Sequence, residues 1–302
     1  KRINSEHDSK ILPSEEVSIH NHRKRNIHAL VLNNNAFLEG KGDGARTYFN
    51  RKCKYNTKSL YQNKESGSIV IAAHPFVKVS LMEWIFIKRG KWEWNDIIHD
   101  GLSGLQILNG PYDKSFFDGL EIWKKLLLNG YKKFIYAGND AHGNFNMYRQ
   151  IKTPMFSLSQ KYHQILGESR TGIYSTNNTK DVVQALKSGR CFITNGPFIE
   201  NIITDDGGCD YFSGQELHGT NSTITIRVLS SIEFGKIDCV KIYAGSTKTR
   251  SEKIIYNFTD INSYKFERIL KLEGYESSYI RSECKVKSEK TIRAYTNPTW
   301  IS

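Results

Sequence analysis

The chain has no long apolar run, no C-x-x-C pair and no basic helix interleaved with aromatic residues, and each absence removes a class of function. A membrane-spanning helix needs about 20 consecutive apolar residues, and nothing in these 302 residues approaches that. The greasiest run, Leu81-Met82-Glu83-Trp84-Ile85-Phe86-Ile87, is short and charged on both sides, and reads as a core helix rather than a membrane contact. Five cysteines (Cys53, Cys191, Cys209, Cys239 and Cys284) without paired spacing exclude a structural thiolate zinc site. Their odd number leaves at least one unpaired, so the redox compartment stays open. The net charge of +12 is spread along the chain instead of gathered on one helix, so a nucleic-acid partner is not expected, although the positive field would draw in an anionic substrate. The chain also starts without Met, which reads as a piece of a longer protein, so no signal peptide or compartment is assigned.

Hydrophobic content of 38% and charged content of 25% are those of an ordinary globular protein, with length enough for one large domain and a small one. The informative residues are histidines and carboxylates at the ends of strand-like runs. Phe134-Ile135-Tyr136-Ala137 is a short apolar run broken by Gly138 and followed by Asp140-Ala141-His142. Residues two apart on extended backbone point to the same side, so Asp140 and His142 offer two donors from one wall. Three other runs have the same shape. Ser68–Ala73 ends in His74-Pro75, Asn26–Leu32 carries His28 near its start, and Leu12–Val17 carries Glu15 and Glu16. Imidazole and carboxylate are ligands that Zn, Mn and Fe accept.

The ordered series Pro13-Ser14-Glu15-Glu16-Val17, His28, Ala73-His74-Pro75 and Asp140-Ala141-His142 resembles the polymerase-and-histidinol-phosphatase (PHP) superfamily of metal-dependent hydrolases. Its carbaryl-hydrolase (CehA/McbA-like) branch is the nearer likeness. The stretches that carry it are residues 117–131, Asp181–Arg190 leading into Cys191-Phe192-Ile193-Thr194-Asn195-Gly196-Pro197, and Tyr295-Thr296-Asn297-Pro298. The resemblance implies metal ligands at Glu16, His28, His74, Asp140 and His142, with His7 added by Ser5-Glu6-His7-Asp8-Ser9. It implies two or three divalent ions (Zn, Mn or Fe), and His74 or His142 serving as ligand and proton relay. The implied activity is hydrolysis of a small-molecule phosphoester or carboxyl or carbamoyl ester by metal-activated water. The alternative is a catalytically inactive PHP-like domain acting as a structural or binding subunit.

Two departures stand against the family pattern. No His-x-His precedes His7, and Gln106 stands where the family often has Glu. His20-Asn21-His22 has the right spacing in the wrong place, and reads as a loop beside Arg23-Lys24-Arg25. If His7 and Glu16 end neighbouring parallel strands, four residues separate them where a crossover needs about a dozen. A discontinuity is therefore expected between Asp8 and Pro13.

The fold expected is a distorted (β/α)7 PHP-type barrel over residues 1–197, followed by a small antiparallel β-sandwich over 198–302. Cys191–Pro197 is the expected last barrel strand. A helix is predicted near 115–129, with Trp123, Leu126 and Leu127 on one face and Asn129-Gly130 closing it. Another is predicted near 180–188, after Thr179 as N-cap and up to Gly189. Short alternating strands are predicted at 222–230, 236–244, 264–271, 279–283 and 291–296. His99, His163 and His218 lack neighbouring ligands in sequence and are assigned to the surface.

Overall fold

The computed structural model describes residues 11–42, 52–141, 150–152, 157–159, 167–176, 178–219, 222–272 and 278–302. In chain order the first described elements are β1 (Ser14–His20), β2 (Asn26–Leu32), α1 (Thr57–Asn63), β3 (Ile69–Ala72), α2 (Leu81–Phe86), α3 (Trp94–Ile97) and β4 (Gly104–Asn109). There follow α4 (Lys114–Leu128), β5 (Phe134–Gly138), β6 (Gln150–Lys152), β7 (Ser157–Ser159), β8 (Arg170–Ile173), α5 (Thr179–Ser188) and β9 (Cys191–Thr194). The remainder is all strand: β10 (Phe198–Asp205), β11 (Asp210–Phe212), β12 (Glu216–Leu217), β13 (Ser222–Leu229), β14 (Ile237–Ser246), β15 (Ser251–Phe258), β16 (Lys265–Leu272), β17 (Tyr279–Val286), β18 (Arg293–Thr296) and β19 (Thr299–Ile301). Two compact units result, residues 1–107 with 176–187 and residues 108–175 with 188–302; the division falls inside β4.

The first unit is organised by a hairpin. β1 and β2 pair antiparallel along their whole length, with Glu16 opposite Leu30 and Ser18 opposite His28. Five residues join them, too few for the crossover that parallel neighbours require. The turn is held by Asn21, whose Oδ1 accepts from the Arg23 and Arg25 amides at 3.0 and 2.9 Å, while Lys24 adopts φ 59. β3 then pairs antiparallel with β2 and parallel with β4, so the strand order in this unit is β1-β2-β3-β4. Alternation explains which face is core: Val17 and Ile19 on β1, and Ile27, Ala29 and Val31 on β2, are buried, whereas His28, Leu30 and Leu32 on the opposite face are only partly covered.

This geometry corrects the expected barrel. Among the described residues there is no closed barrel; the protein is mostly β, with 42% strand against 17% helix, and its sheets are largely antiparallel. Apolar strands alternating with helices were expected to form parallel βαβ units, but the short β1–β2 connection makes a hairpin. The same hairpin removes the premise for a break between Asp8 and Pro13, because Glu16 lies in an antiparallel strand and needs no crossover before it. Residues up to 10 lie outside the described residues. The apolar run at 81–87 also differs from expectation. It forms α2, capped by reciprocal Ser80–Glu83 hydrogen bonds, yet none of its residues is buried.

The second unit contains a four-stranded sheet, β11-β10-β13-β16, and an eight-stranded one. The larger runs β12-β19-β17-β18-β9-β8, with β14 on β17 and β15 on β14. Strict alternation on β10 and β13 turns Ile199, Ile203, Ile224, Ile226 and Val228 into one core, shared with Ile237, Val240, Ile242, Ile280 and Val286 of the larger sheet. β9, expected to close a barrel, instead lies between β8 and β18. The residue that locks it there is Asn297 of the Tyr-Thr-Asn-Pro motif. Wholly buried, its amide accepts from the Ile135 amide at 2.8 Å and donates to the carbonyls of Ile135 and Cys191 at 3.2 Å. α4 buries Trp123, Leu126 and Leu127 and ends at Asn129, with Gly130 at φ 84. In the first unit, to which residues 176–187 belong, α5 begins at Thr179, and its cap is the residue before: Asn178 Oδ1 accepts from the Lys180 amide at 3.0 Å.

Candidate metal centre

Directly opposed residues of an antiparallel pair share a face, and so do residues two apart on one strand. Glu16 faces Leu30, and His28 lies two residues before Leu30, so Glu16 and His28 are diagonal neighbours on the non-core face of the hairpin. The third side chain arrives from β3. The Ala73 amide donates to the His28 carbonyl at 3.1 Å, continuing the ladder one residue past the strand. His74 then turns out of it with φ 31. A positive φ is uncommon for a non-glycine residue, and here it brings the imidazole to Glu16.

The three side chains converge on one oxygen. Glu16 Oε1 lies 3.0 Å from His74 Nε2 and 2.5 Å from His28 Nδ1, and the two imidazoles meet edge to face with centroids 5.3 Å apart. One donor atom from each of Glu16, His28 and His74 lies within 4.8 Å of the others. Both imidazoles are 13% exposed and the carboxylate 29%. Burial by itself would raise the Glu16 pKa, but the adjacent His28 and His74 outweigh it and hold the carboxyl well below the usual carboxylate range. Glu16 is therefore an anion at neutral pH.

Arg89 fixes the state of His28. Its Nη1 lies 2.6 Å from His28 Nε2, and a guanidinium only donates, so Nε2 presents its lone pair to Arg89. The Arg89 backbone is held beside β2, the Asn26 amide donating to the Lys88 carbonyl and the Gly90 amide to the Asn26 carbonyl, both at 2.8 Å. Trp92 Nε1 donates to the His28 carbonyl at 3.0 Å and completes the support.

Two imidazoles and a carboxylate are a donor set for Zn, Mn or Fe, whose ligand bonds of about 2.0–2.3 Å suit donors this closely grouped. One feature requires adjustment. A ligating imidazole ordinarily hands its second N–H to an acceptor, whereas His28 Nε2 faces the Arg89 donor. The set fits a cation once Arg89 withdraws from that nitrogen.

Of the sequence-predicted ligands, the structure brings together Glu16, His28 and His74. Asp140 follows β5 in the second unit with φ 49. His7 and His142 lie outside the described residues. His20 closes β1, and burial together with nearby Lys88 pushes its pKa down. His22 sits in the hairpin turn with its Nδ1 2.9 Å from Asp96, so His20-Asn21-His22 is not a ligand pair aimed at the centre. Gln106 is buried within β4. His99 is half-buried against Tyr61, ring centroids 4.5 Å apart, rather than on the open surface, while His218 is exposed and His163 lies outside the described residues. Arg89 and Trp92 were missed from sequence: Lys88-Arg89-Gly90 looks like any basic loop until β2 is placed beside it. Compared with protein-family models, curated proteins and solved structures, the chain matches none.

Proposed function

We propose that Glu16, His28 and His74 hold a divalent cation at a hydrolytic centre acting on phosphoesters or on carboxyl or carbamoyl esters. The observation that carries this reading is the convergence of three metal-compatible donors, from three separate strands or strand ends, within 4.8 Å. A bound divalent ion there supplies Lewis acidity and activates water for hydrolysis. Glu16 provides the negative charge that offsets the cation. His74 offers Nε2, and His28 offers Nδ1 once Arg89 leaves Nε2 free to carry the imidazole proton; these are the nitrogens that face Glu16. His74, next to solvent at a strand end, also has the position of a proton relay. His142 keeps the same assignment as a proposal, as do Asp140 and His7 as further ligands. Three grouped donors suffice for one ion.

A non-catalytic reading has one observation in its favour: the Arg89–His28–Glu16–His74 chain of contacts ties β1, β2 and the end of β3 together without any ion. Hydrolysis assays separate the two. The full chain, supplied with Zn or Mn, is incubated with an aryl phosphate and an aryl ester, with and without chelator. Chelator-sensitive turnover that disappears in Glu16→Gln supports the hydrolase. Absence of turnover on both substrate classes, with the ion bound, favours the structural role.

A further inference from the structure

We propose that α2 and the adjoining hairpin turn form a docking surface for an anionic lipid bilayer. This inference is independent of the metal centre. Leu81, Met82, Trp84, Ile85 and Phe86 are between 49% and 70% exposed, so five of the six residues of α2 show apolar side chains to solvent. Single exposed apolar residues are ordinary, whereas a contiguous group of this kind marks an interaction site.

Apart from Trp84, whose indole meets Arg25, the helix is not held by packing of those side chains. Its N-terminus is fixed by the Ser80–Glu83 capping box. Its far side is fixed by Arg25, whose Nη1 donates to the Trp84 carbonyl at 2.8 Å and whose guanidinium lies 4.1 Å from the indole centroid. The apolar residues are thus presented outward on a supported base.

What surrounds them selects the partner. Lys78 precedes the helix, Lys88 and Lys91 follow it, and Lys24 sits in the turn beside Arg25; all four lysines are exposed. The nearby carboxylates are already engaged, Glu83 in the helix cap and Glu93 with Arg23 at 3.0 Å. An apolar projection containing Trp, flanked along the chain by exposed lysines, matches a bilayer interface with anionic headgroups, where aromatic residues sit at the boundary and lysines meet phosphate. No helix of the described residues is long and apolar enough to cross a membrane, so this contact is peripheral.

The test is sedimentation of the full chain with vesicles of phosphatidylcholine alone or mixed with phosphatidylglycerol. Binding is expected to the anionic vesicles, to weaken with added salt, and to fall about tenfold or more in an Ile85→Ser/Phe86→Ser variant. Lys78→Glu/Lys91→Glu should lose the preference for anionic lipid. A readout that needs no variant is quenching by brominated lipids. Trp92, Trp123 and Trp300 are buried, so quenching would report exposed Trp84 and Trp94. The proposal is overturned if the wild-type chain stays in the supernatant with anionic vesicles at low salt. It is equally overturned if the serine variant binds as well as wild type. Self-association of the wild type that the serine variant abolishes, without vesicle binding, would assign the surface to a second copy of the chain instead.

Discussion

Replacing Arg281 by Met should cost the second unit about 3–5 kcal/mol at neutral pH, the usual consequence of stranding a buried ionic partner. Arg281 on β17 is 1% exposed and lies between two carboxylates. Its Nε and Nη2 donate to Glu252 at 2.7 and 2.6 Å, and its Nη1 to Glu283 at 2.6 Å. Tyr279 Oη adds a hydrogen bond to Glu252 at 2.9 Å, and the Tyr243 ring lies 4.2 Å from the guanidinium. Burial alone would raise the Glu252 pKa; the Arg281 charge and hydrogen bonds overcome that and leave it lowered. A lowered carboxyl stabilises the fold above its ordinary pKa of about 4.3, and that contribution is lost as pH falls through the folded value. In the Met variant the burial effect remains without its counterweight, so the Glu252 pKa should be raised and folding should protonate the group. The penalty is therefore largest near pH 7 and shrinks as pH falls toward the carboxylate range. Urea unfolding of wild type and variant at pH 7 and pH 5 measures it. A penalty below about 1 kcal/mol at pH 7, or one that does not shrink at the lower pH, refutes the reasoning. Replacing Arg281, Glu252 and Glu283 together by apolar residues should restore most of the loss.

Asn297→Ala should destabilise the second unit by about 2–4 kcal/mol, because it strands buried backbone groups of Ile135 and Cys191; denaturant unfolding checks this, and a change below 1 kcal/mol would mean water replaces the amide. Arg89→Met should raise Zn affinity by about tenfold or more, since the guanidinium competes for His28 and repels a cation. Calorimetric titration measures that affinity, and a weaker Zn complex would show that Arg89 supports the site instead. Ser80→Ala should cost α2 about 1 kcal/mol through its lost cap, visible as faster amide exchange at Glu83, whereas unchanged exchange would place the stability of α2 elsewhere.

Local elements were legible in the sequence. β2 has the bounds read from the run Asn26–Leu32, α4 buries the face carrying Trp123, Leu126 and Leu127, and β13, β14, β16, β17 and β18 lie where alternation placed them, whereas β11, β12, β15 and β19 were not read. Direction of pairing was not. An apolar run such as Ser68–Ala73 has the same pattern in a parallel or an antiparallel sheet, and the long connection through α1 permits either; only a short connection decides the direction. The five residues between β1 and β2 held that information. Coverage was also illegible: Leu81–Phe86 has core composition, but hydrophobicity says nothing of what packs against it. At the candidate centre, Glu16, His28 and His74 were read from a family likeness, while their meeting depends on hairpin register and on the positive φ of His74. Arg89 depends wholly on tertiary placement.

The metal content of the purified chain tests the central claim most directly. After loading with Zn and removal of excess, elemental analysis should give at least one ion per chain in the wild type. Glu16→Gln and His74→Ala, with the wild-type circular dichroism spectrum, should each lose one ion. A wild-type chain that retains no ion, or variants that retain as much as the wild type, would contradict a metal centre at Glu16, His28 and His74.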